Sequence, residues 1–361
     1  MNLPVMPPVA PMLAKSMPTI PVGDEWRYEP KWDGFRSIIF RDGDEIEIGS
    51  RNTKPLTRYF PEVVDAVKGA FPAKGVFDGE LVVMDSSGKL EFDLLSQRIH
   101  PAVSRVGRLS KELPAVFVAF DALAVGDDDL RGRPFDDRRA VLVDALGGGS
   151  RGVYVTPLTL DPEEADDWFH RWEGAGLDGV VAKRADGPYR ENERVMAKIK
   201  HERTMDCVVG GFRWHKSGEG VVGSLLLGLY DQTGSLHHVG VAGAFSAARR
   251  RDMVAELEPY LLPSGEDHPW KEWSDLVASG GTESKPIGNR WNSGKDMSWI
   301  PLRIALVVEV AYGHFQGERV RHATSFKRFR FDRTPESCTY DQIVTPELVP
   351  VSEVLARGLI D

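Results

Sequence analysis

Five stretches in the first half of the chain carry apolar side chains at alternate positions, or in short runs, bounded by Gly and Asp. They are FRSIIFRDG (35–43), EIEIGSR (45–51), GVFDGELVVMD (75–85), AVFVAFDALAV (115–125) and GVVAKR (179–184). Such alternation, with β-branched residues, predicts half-buried strands. Between them the apolar spacing lengthens to three and four, which predicts helices over 61–71, 133–146 and 162–176. Asp161 stands ahead of Pro162 as an N-cap followed by a proline at the first helical position.

After about residue 202 the character changes. MDCVVGGFRW (205–214), GSLLLGLYDQTGSLHHVGVAG (223–243) and IALVVEVAYG (304–313) are short strands broken by Gly-rich turns, with one helix over 246–261 between them. About five strands and one helix suggest a small closed β-barrel such as an OB-fold. The boundary is placed in KIKHERT (198–204), giving domains 1–202 and 203–361, an α+β chain. The stretch 262–299, rich in Pro, Gly, Ser and Trp, is expected to be a long irregular excursion.

A hydrophobic content of 42% over 361 residues suffices for one large core or two ordinary ones. The N-terminal stretch lacks the charged-then-apolar order of a signal peptide, and no apolar run is long enough to span a bilayer. Cys207 and Cys338 are too few for a disulfide framework or a zinc cluster, so a reducing, cytoplasmic setting is expected. The net charge of −9 argues against a general polyanion binder. Charge is uneven, however. From Arg319 to Arg333 there are six Lys or Arg and one acid, Asp332, so a local basic face for nucleic acid remains open.

EPKWDGFR (29–36) puts Lys31 between a proline and a tryptophan, where an apolar residue would pack more easily. Other charged or aromatic residues follow in order: Arg51 in SRNTK, Glu80 in FDGELV, Phe120 and Asp121 in FVAFDAL, and Asp178 in DGVVAKR. Lys198 and Lys200 in MAKIKH share one strand face, and RHATSFKRFRFDR (321–333) closes the set. Each has a plain structural reading beside the chemical one. Glu80 and Asp178 suit edge-of-sheet charges, Phe120 suits core, Lys198 and Lys200 a solvated strand face, and Arg51 a turn.

Taken together and in order, these motifs resemble the covalent nucleotidyltransferase superfamily and, within it, the ATP-dependent DNA ligases. LLSQRIH, FDALAVGDDDLRGRPFDDRRAVL and AKRADGPY are similar to the bacterial two-domain ligase C type. The resemblance implies an ATP-grasp-like mixed α/β nucleotidyltransferase domain followed by an OB-fold. It implies that Lys31 attacks the α-phosphate of ATP to form lysyl-AMP. The AMP then passes to a DNA 5′-phosphate, and a 3′-hydroxyl displaces it. An amine attacks only when neutral, so the lysine needs cationic neighbours or partial burial. Arg36, Lys198, Lys200 and a divalent metal would supply the positive charge.

By the same resemblance Glu29 accepts the adenine amino group and Phe120 stacks on the base. Glu80 and Arg36 hold the ribose. Arg51 approaches a phosphate of the nucleotide or the DNA, and Lys198 and Lys200 contact phosphates. Asp178 and Glu80 bind Mg²⁺ or Mn²⁺, and Asp33 assists the later steps. Arg328 and Arg330 meet the β- and γ-phosphates when the barrel closes over the site. Asp178 stands where many relatives carry Glu, and Ala323 where proline is usual, with the arginines near Arg321 spaced one residue longer.

With 30 residues ahead of Lys31, no large N-terminal DNA-binding domain is expected. The implied partners are nicked or broken duplex DNA, with Ku and a repair polymerase or primase beside them. A monomer in the cytoplasm, on the nucleoid, is expected, with no membrane partner. An RNA ligase or capping-type guanylyltransferase is the enzyme alternative, and a degenerate DNA end-binding scaffold the non-enzymatic one.

Overall fold

The computed structural model describes residues 1–147, 152–271, 298–313, 315–320, 323–344 and 346–358. Arg321 and most of the excursion expected over 262–299 lie outside the described residues. The chain divides into two compact units, Met1–Lys200 with Thr345–Asp361, and His201–Val344.

In chain order the first unit contains β1 (Leu13–Ser16), β2 (Trp26–Pro30), β3 (Phe35–Asp42), β4 (Glu45–Ser50), α1 (Pro61–Ala70) and β5 (Lys74–Val83). Next come α2 (Phe92–Gln97), α3 (Val103–Glu112), β6 (Ala115–Val125), β7 (Asp128–Asp129), α4 (Phe135–Leu146) and β8 (Val153–Val155). Then follow α5 (Pro162–Arg171), β9 (Gly179–Arg184) and β10 (Arg194–Lys200). One sheet runs β4-β3-β5-β6-β7, with β8 parallel to β6; the other runs β1-β10-β9-β2. Asp161 does cap α5, accepting from the Glu163 N–H at 2.9 Å.

The apolar runs of β3 and β6 follow from burial on both faces. Ile39 packs in the cluster with Val63 and Val67 of α1, while Ile38 and Phe40 pack with Met12, Tyr189 and Met196. In β6, Phe117 and Ala119 join the first cluster, and Val118 and Phe120 join a third with Trp168 and Trp172. A strand covered on both faces cannot keep polar residues at alternate positions. The helices α2 and α3, which the sequence pattern did not predict, are short and separated by Pro101. They bury only Leu95, and Val106 with Leu109, so their apolar spacing is faint.

The second unit contains β11 (Arg203–His215), β12 (Gly218–Tyr230), β13 (Leu236–Gly243), α6 (Ala247–Leu257), β14 (Ile300–Pro301), β15 (Val307–Tyr312), β16 (Phe315–Gln316), β17 (Arg319–Val320) and β18 (Thr324–Phe329). The path β12-β13-β18-β15-β11 returns to β12, so the sheet closes. Among the described residues only β13 and β18 pair in parallel within it, and α6 lies between β13 and β15 in the chain. This is the OB-fold barrel, filled by residues such as Val208, Leu226, Val239 and Val308.

The C-terminal α7 (Val351–Arg357) corrects one expected boundary. The sequence reading ran the barrel domain to residue 361, but the tail belongs with the first unit. Val351, Val354 and Leu355 are buried beside Trp172 and Val349, and the Val351 N–H reaches the Gly88 carbonyl at 2.9 Å. An isolated short helix is marginal in water, so the tail goes where its apolar face finds a partner.

Candidate active site

Lys31 follows the last residue of β2. Its N–H donates to the Gly179 carbonyl at 2.8 Å, and the Asp178 N–H donates to the Lys31 carbonyl at 3.0 Å. These two backbone bonds bring together residues far apart in the chain. Register then continues across the sheet, with Glu29 opposite Val181, Val181 opposite Lys198, and Gly179 opposite Lys200. Gly179 has φ +135°, and a Cβ there would lie 2.0 Å from the Ile199 carbonyl oxygen. Only glycine lets the three strands approach so closely at this end. Gly34, after Asp33, is required on similar grounds: a Cβ would meet the Leu81 carbonyl at 2.1 Å.

A cavity of about 280 Å³ opens at this sheet end. Of the residues singled out from sequence, Glu29, Lys31, Arg36, Arg51, Glu80, Phe120, Lys198 and Lys200 line it. Asp178 is not a lining residue, but its Oδ2 accepts from Lys31 Nζ at 2.7 Å and from Lys200 Nζ at 2.6 Å. Asp33 is not a lining residue either; its charge reaches Glu80. Arg328 and Arg330 belong to the barrel unit. Arg328 pairs across strands with Glu309 at 2.7 Å, and Arg330 binds Asp206 at 3.2 Å and Asp332 at 2.8 Å.

Phe120 reaches the cavity through an irregularity in the ladder. Gly79 pairs with Ala119 and Asp78 with Asp121, which leaves Phe120 without an opposite residue on β5. A bulge of this kind re-aims a side chain. The Phe120 ring sits beneath two cations, with the Arg36 guanidinium 4.3 Å and Lys183 Nζ 4.9 Å from its centroid.

Lys183 and Arg194 also line the cavity and were missed in the sequence reading. Lys183 was legible in principle, since strand period two places it on the face of Val181. It is buried, 2.8 Å from Glu29 Oε2, and donates to the Phe120 carbonyl at 2.9 Å. Among the described residues, no hydrogen-bond donor reaches the buried Glu29 Oε1. Glu29 lines the cavity, so this acceptor is available to an N–H of a ligand.

Burial and neighbouring charge shift the site's acids in opposite directions. Burial pushes Glu80 up to about 7, against the pull of Arg36 and Lys31. Burial also raises Glu29, opposed by Lys183. Asp178 is pushed up by burial too, but Lys31 and Lys200 outweigh it and hold the carboxyl well below the usual carboxylate range. Lys198 is lowered by burial and by Lys200, Lys31, Arg51 and Arg194. The cavity therefore concentrates positive charge beside the Asp178 carboxylate.

Among the described residues no group of three or more His, Cys, Asp or Glu forms a metal cage. Glu80 and Asp178 are the acidic pair singled out near Lys31. An oxygen-only donor set of one or two carboxylates fits Mg²⁺ or Mn²⁺, with nucleotide phosphates completing the shell.

Two family models match, "ATP dependent DNA ligase domain" over residues 11–200 and "ATP dependent DNA ligase C terminal region" over 218–333. DNA ligase C of Mycobacterium tuberculosis is 54% identical over 359 residues, covering 98% of this chain and 99% of the relative. DNA ligase C2 of Mycolicibacterium smegmatis is 52% identical over 348 residues, covering 96% and 97%. A solved structure from "DNA binding with a minimal scaffold: Structure-function analysis of Lig E DNA ligases" is 18% identical with a TM-score of 0.55. It covers 89% of this chain and 99% of that one, and shares the fold. With both domain models matched in order and full-length relatives above half identity, the chain belongs to the ATP-dependent DNA ligase family.

Proposed function

We propose that the chain seals breaks in duplex DNA with ATP, and that Lys31 carries the AMP. The observation that carries this reading is the meeting of Lys31 and Lys200 on Asp178 beside a cavity lined also by Glu29, Glu80 and Phe120. ATP places its adenine on Phe120, with its amino group toward the free acceptor of Glu29. Glu80 and Arg36 take the ribose. The Lys31 amine, its surplus proton released, forms a P–N bond to the α-phosphorus. The bond from that phosphorus to the bridging oxygen breaks, and pyrophosphate leaves.

Lys198 and Lys200 stabilise the phosphate charge, with Arg51 beside them. Arg328 and Arg330 are assigned to the departing phosphates and Asp33 to the later transfers. Asp178 and Glu80 would hold the divalent metal, which when bound neutralises phosphate charge. Substrates are nicked or broken duplex DNA, and an end-binding protein such as Ku and a repair polymerase are the partners that fit this role. Relatives named as DNA ligases along the full length favour this reading over an RNA ligase, a capping enzyme or an inactive scaffold. Among the described residues no helix is long and apolar enough to cross a membrane.

The test is covalent labelling with radiolabelled ATP or GTP, read on a denaturing gel. Wild type is expected to take AMP and not GMP, and Lys31→Ala and Lys31→Arg to take neither, since a guanidinium stays protonated. Undiminished AMP label on Lys31→Ala would remove the nucleophile assignment.

A further inference from the structure

Tyr189 lies in the loop between β9 and β10 and does not line the cavity, yet a chain of contacts runs from it into the site. The ring is 5% exposed, and the Arg138 guanidinium stands 5.8 Å from its centroid. Its hydroxyl donates to Asp78 Oδ2 at 2.6 Å and accepts the Met12 N–H at 3.2 Å. Asp78 is fully buried and takes Arg36 Nε and Nη2 at 2.6 Å, one on each oxygen. Arg36 then lies over Phe120 in the cavity wall.

The geometry of this chain is restrictive. A carboxylate gripped only by a guanidinium fork can turn about its own bond and carry the fork with it. A third bond to one oxygen fixes its plane. Arg36 also has an alternative, because Glu80 is its cross-strand neighbour. A loosened Arg36 can turn toward Glu80 and away from the ligand. The Met12 N–H gives the Tyr189 oxygen a donor of its own, so the hydroxyl proton is directed at Asp78.

We propose that Tyr189 is a positioning residue that holds Arg36, through Asp78, in the orientation that recognises the nucleotide's ribose. This rests on the reading that Arg36 holds the ribose. The role would not show in a count of cavity residues, because the hydroxyl acts one carboxylate away.

The test uses the full chain and the rate of AMP attachment with ATP, 2′-deoxy-ATP and 3′-deoxy-ATP. Tyr189→Phe keeps the ring and removes only the hydroxyl. KM for ATP is expected to rise about tenfold with kcat within about twofold, the size of one lost charge-assisted hydrogen bond. KM for the analogue lacking the recognised hydroxyl should hardly move, so discrimination between the nucleotides shrinks. Asp78→Asn, which keeps the side-chain shape, should shrink it further and provides the same readout if Tyr189→Phe folds poorly. Arg36→Ala is the reference. If Arg36→Ala leaves the ratio of KM values at the wild-type figure, the ribose reading fails and the proposal with it. If Arg36→Ala collapses the ratio but Tyr189→Phe and Asp78→Asn keep it, the proposal alone is overturned. A lowered melting temperature with unchanged ratios is that same negative result, a structural role only.

Discussion

Replacing Glu80 by Gln should stabilise the protein at alkaline pH while damaging its chemistry. Glu80 sits between Arg36 and Lys31 and is pushed up to about 7 from an ordinary 4.5, mainly by burial. Between those two values the native protein keeps a proton that the unfolded chain has lost, so stability falls as pH rises through this window. At pH 8 the deficit is on the order of 3 kcal/mol, and at pH 5 below about 1 kcal/mol. The carboxyl opens onto the cavity, so solvent makes these upper figures. Gln has the same shape and no charge to bury, and so escapes the deficit. For a unit of this size about 1 kcal/mol is worth roughly 2–4 °C. Thermal unfolding of the variant without nucleotide should therefore exceed wild type by up to about 10 °C at pH 8, and by no more than a few degrees at pH 5. AMP labelling should fall at both. A melting difference that does not change with pH, or that shrinks as pH rises, would refute the reasoning.

Asp178→Ala strips Lys31 and Lys200 of their shared acceptor, and misplacing a nucleophile by an ångström costs about a hundredfold in AMP labelling. Asp178→Glu, which keeps the carboxylate, should stay within about tenfold of wild type; if both variants label normally, Asp178 neither orients the lysine nor holds a metal. Changing Arg328 and Arg330 together to Ala should lower AMP labelling more than sealing of a nick already carrying AMP on its 5′-phosphate, because no pyrophosphate leaves in the second reaction. Normal labelling with weakened, less salt-dependent DNA binding would instead make the pair DNA contacts. Ending the chain at Val344 removes the buried side chains of Val351, Val354 and Leu355, worth on the order of 5 kcal/mol together. It should lower the melting temperature of the first unit by many degrees, and an unchanged melting curve would show that α7 adds nothing to that core.

The sequence by itself determined many of the strands, several helices and, through the resemblance of its ordered motifs, the family. Period-two alternation located the strands that carry Glu80, Phe120, Lys198 and Lys200, and the Asp161–Pro162 pair located the start of α5. These are legible because they depend on neighbours within a few residues, and the ordered motifs around Lys31 pointed to lysyl-AMP chemistry. What only the tertiary structure decided is who meets whom. Lys31 and Asp178 face each other because β2 and β9 are adjacent in the sheet, and sheet order follows from which faces the whole chain must bury. The bulge that turns Phe120 inward, the Glu29–Lys183 pair and the return of α7 to the first unit are likewise long-range outcomes. The raised Glu80 and depressed Asp178 differ by environment alone. Both are carboxylates near Lys31, but Asp178 accepts two ammonium groups while Glu80 accepts no comparable bond from Lys31, and no local pattern in the chain records that difference.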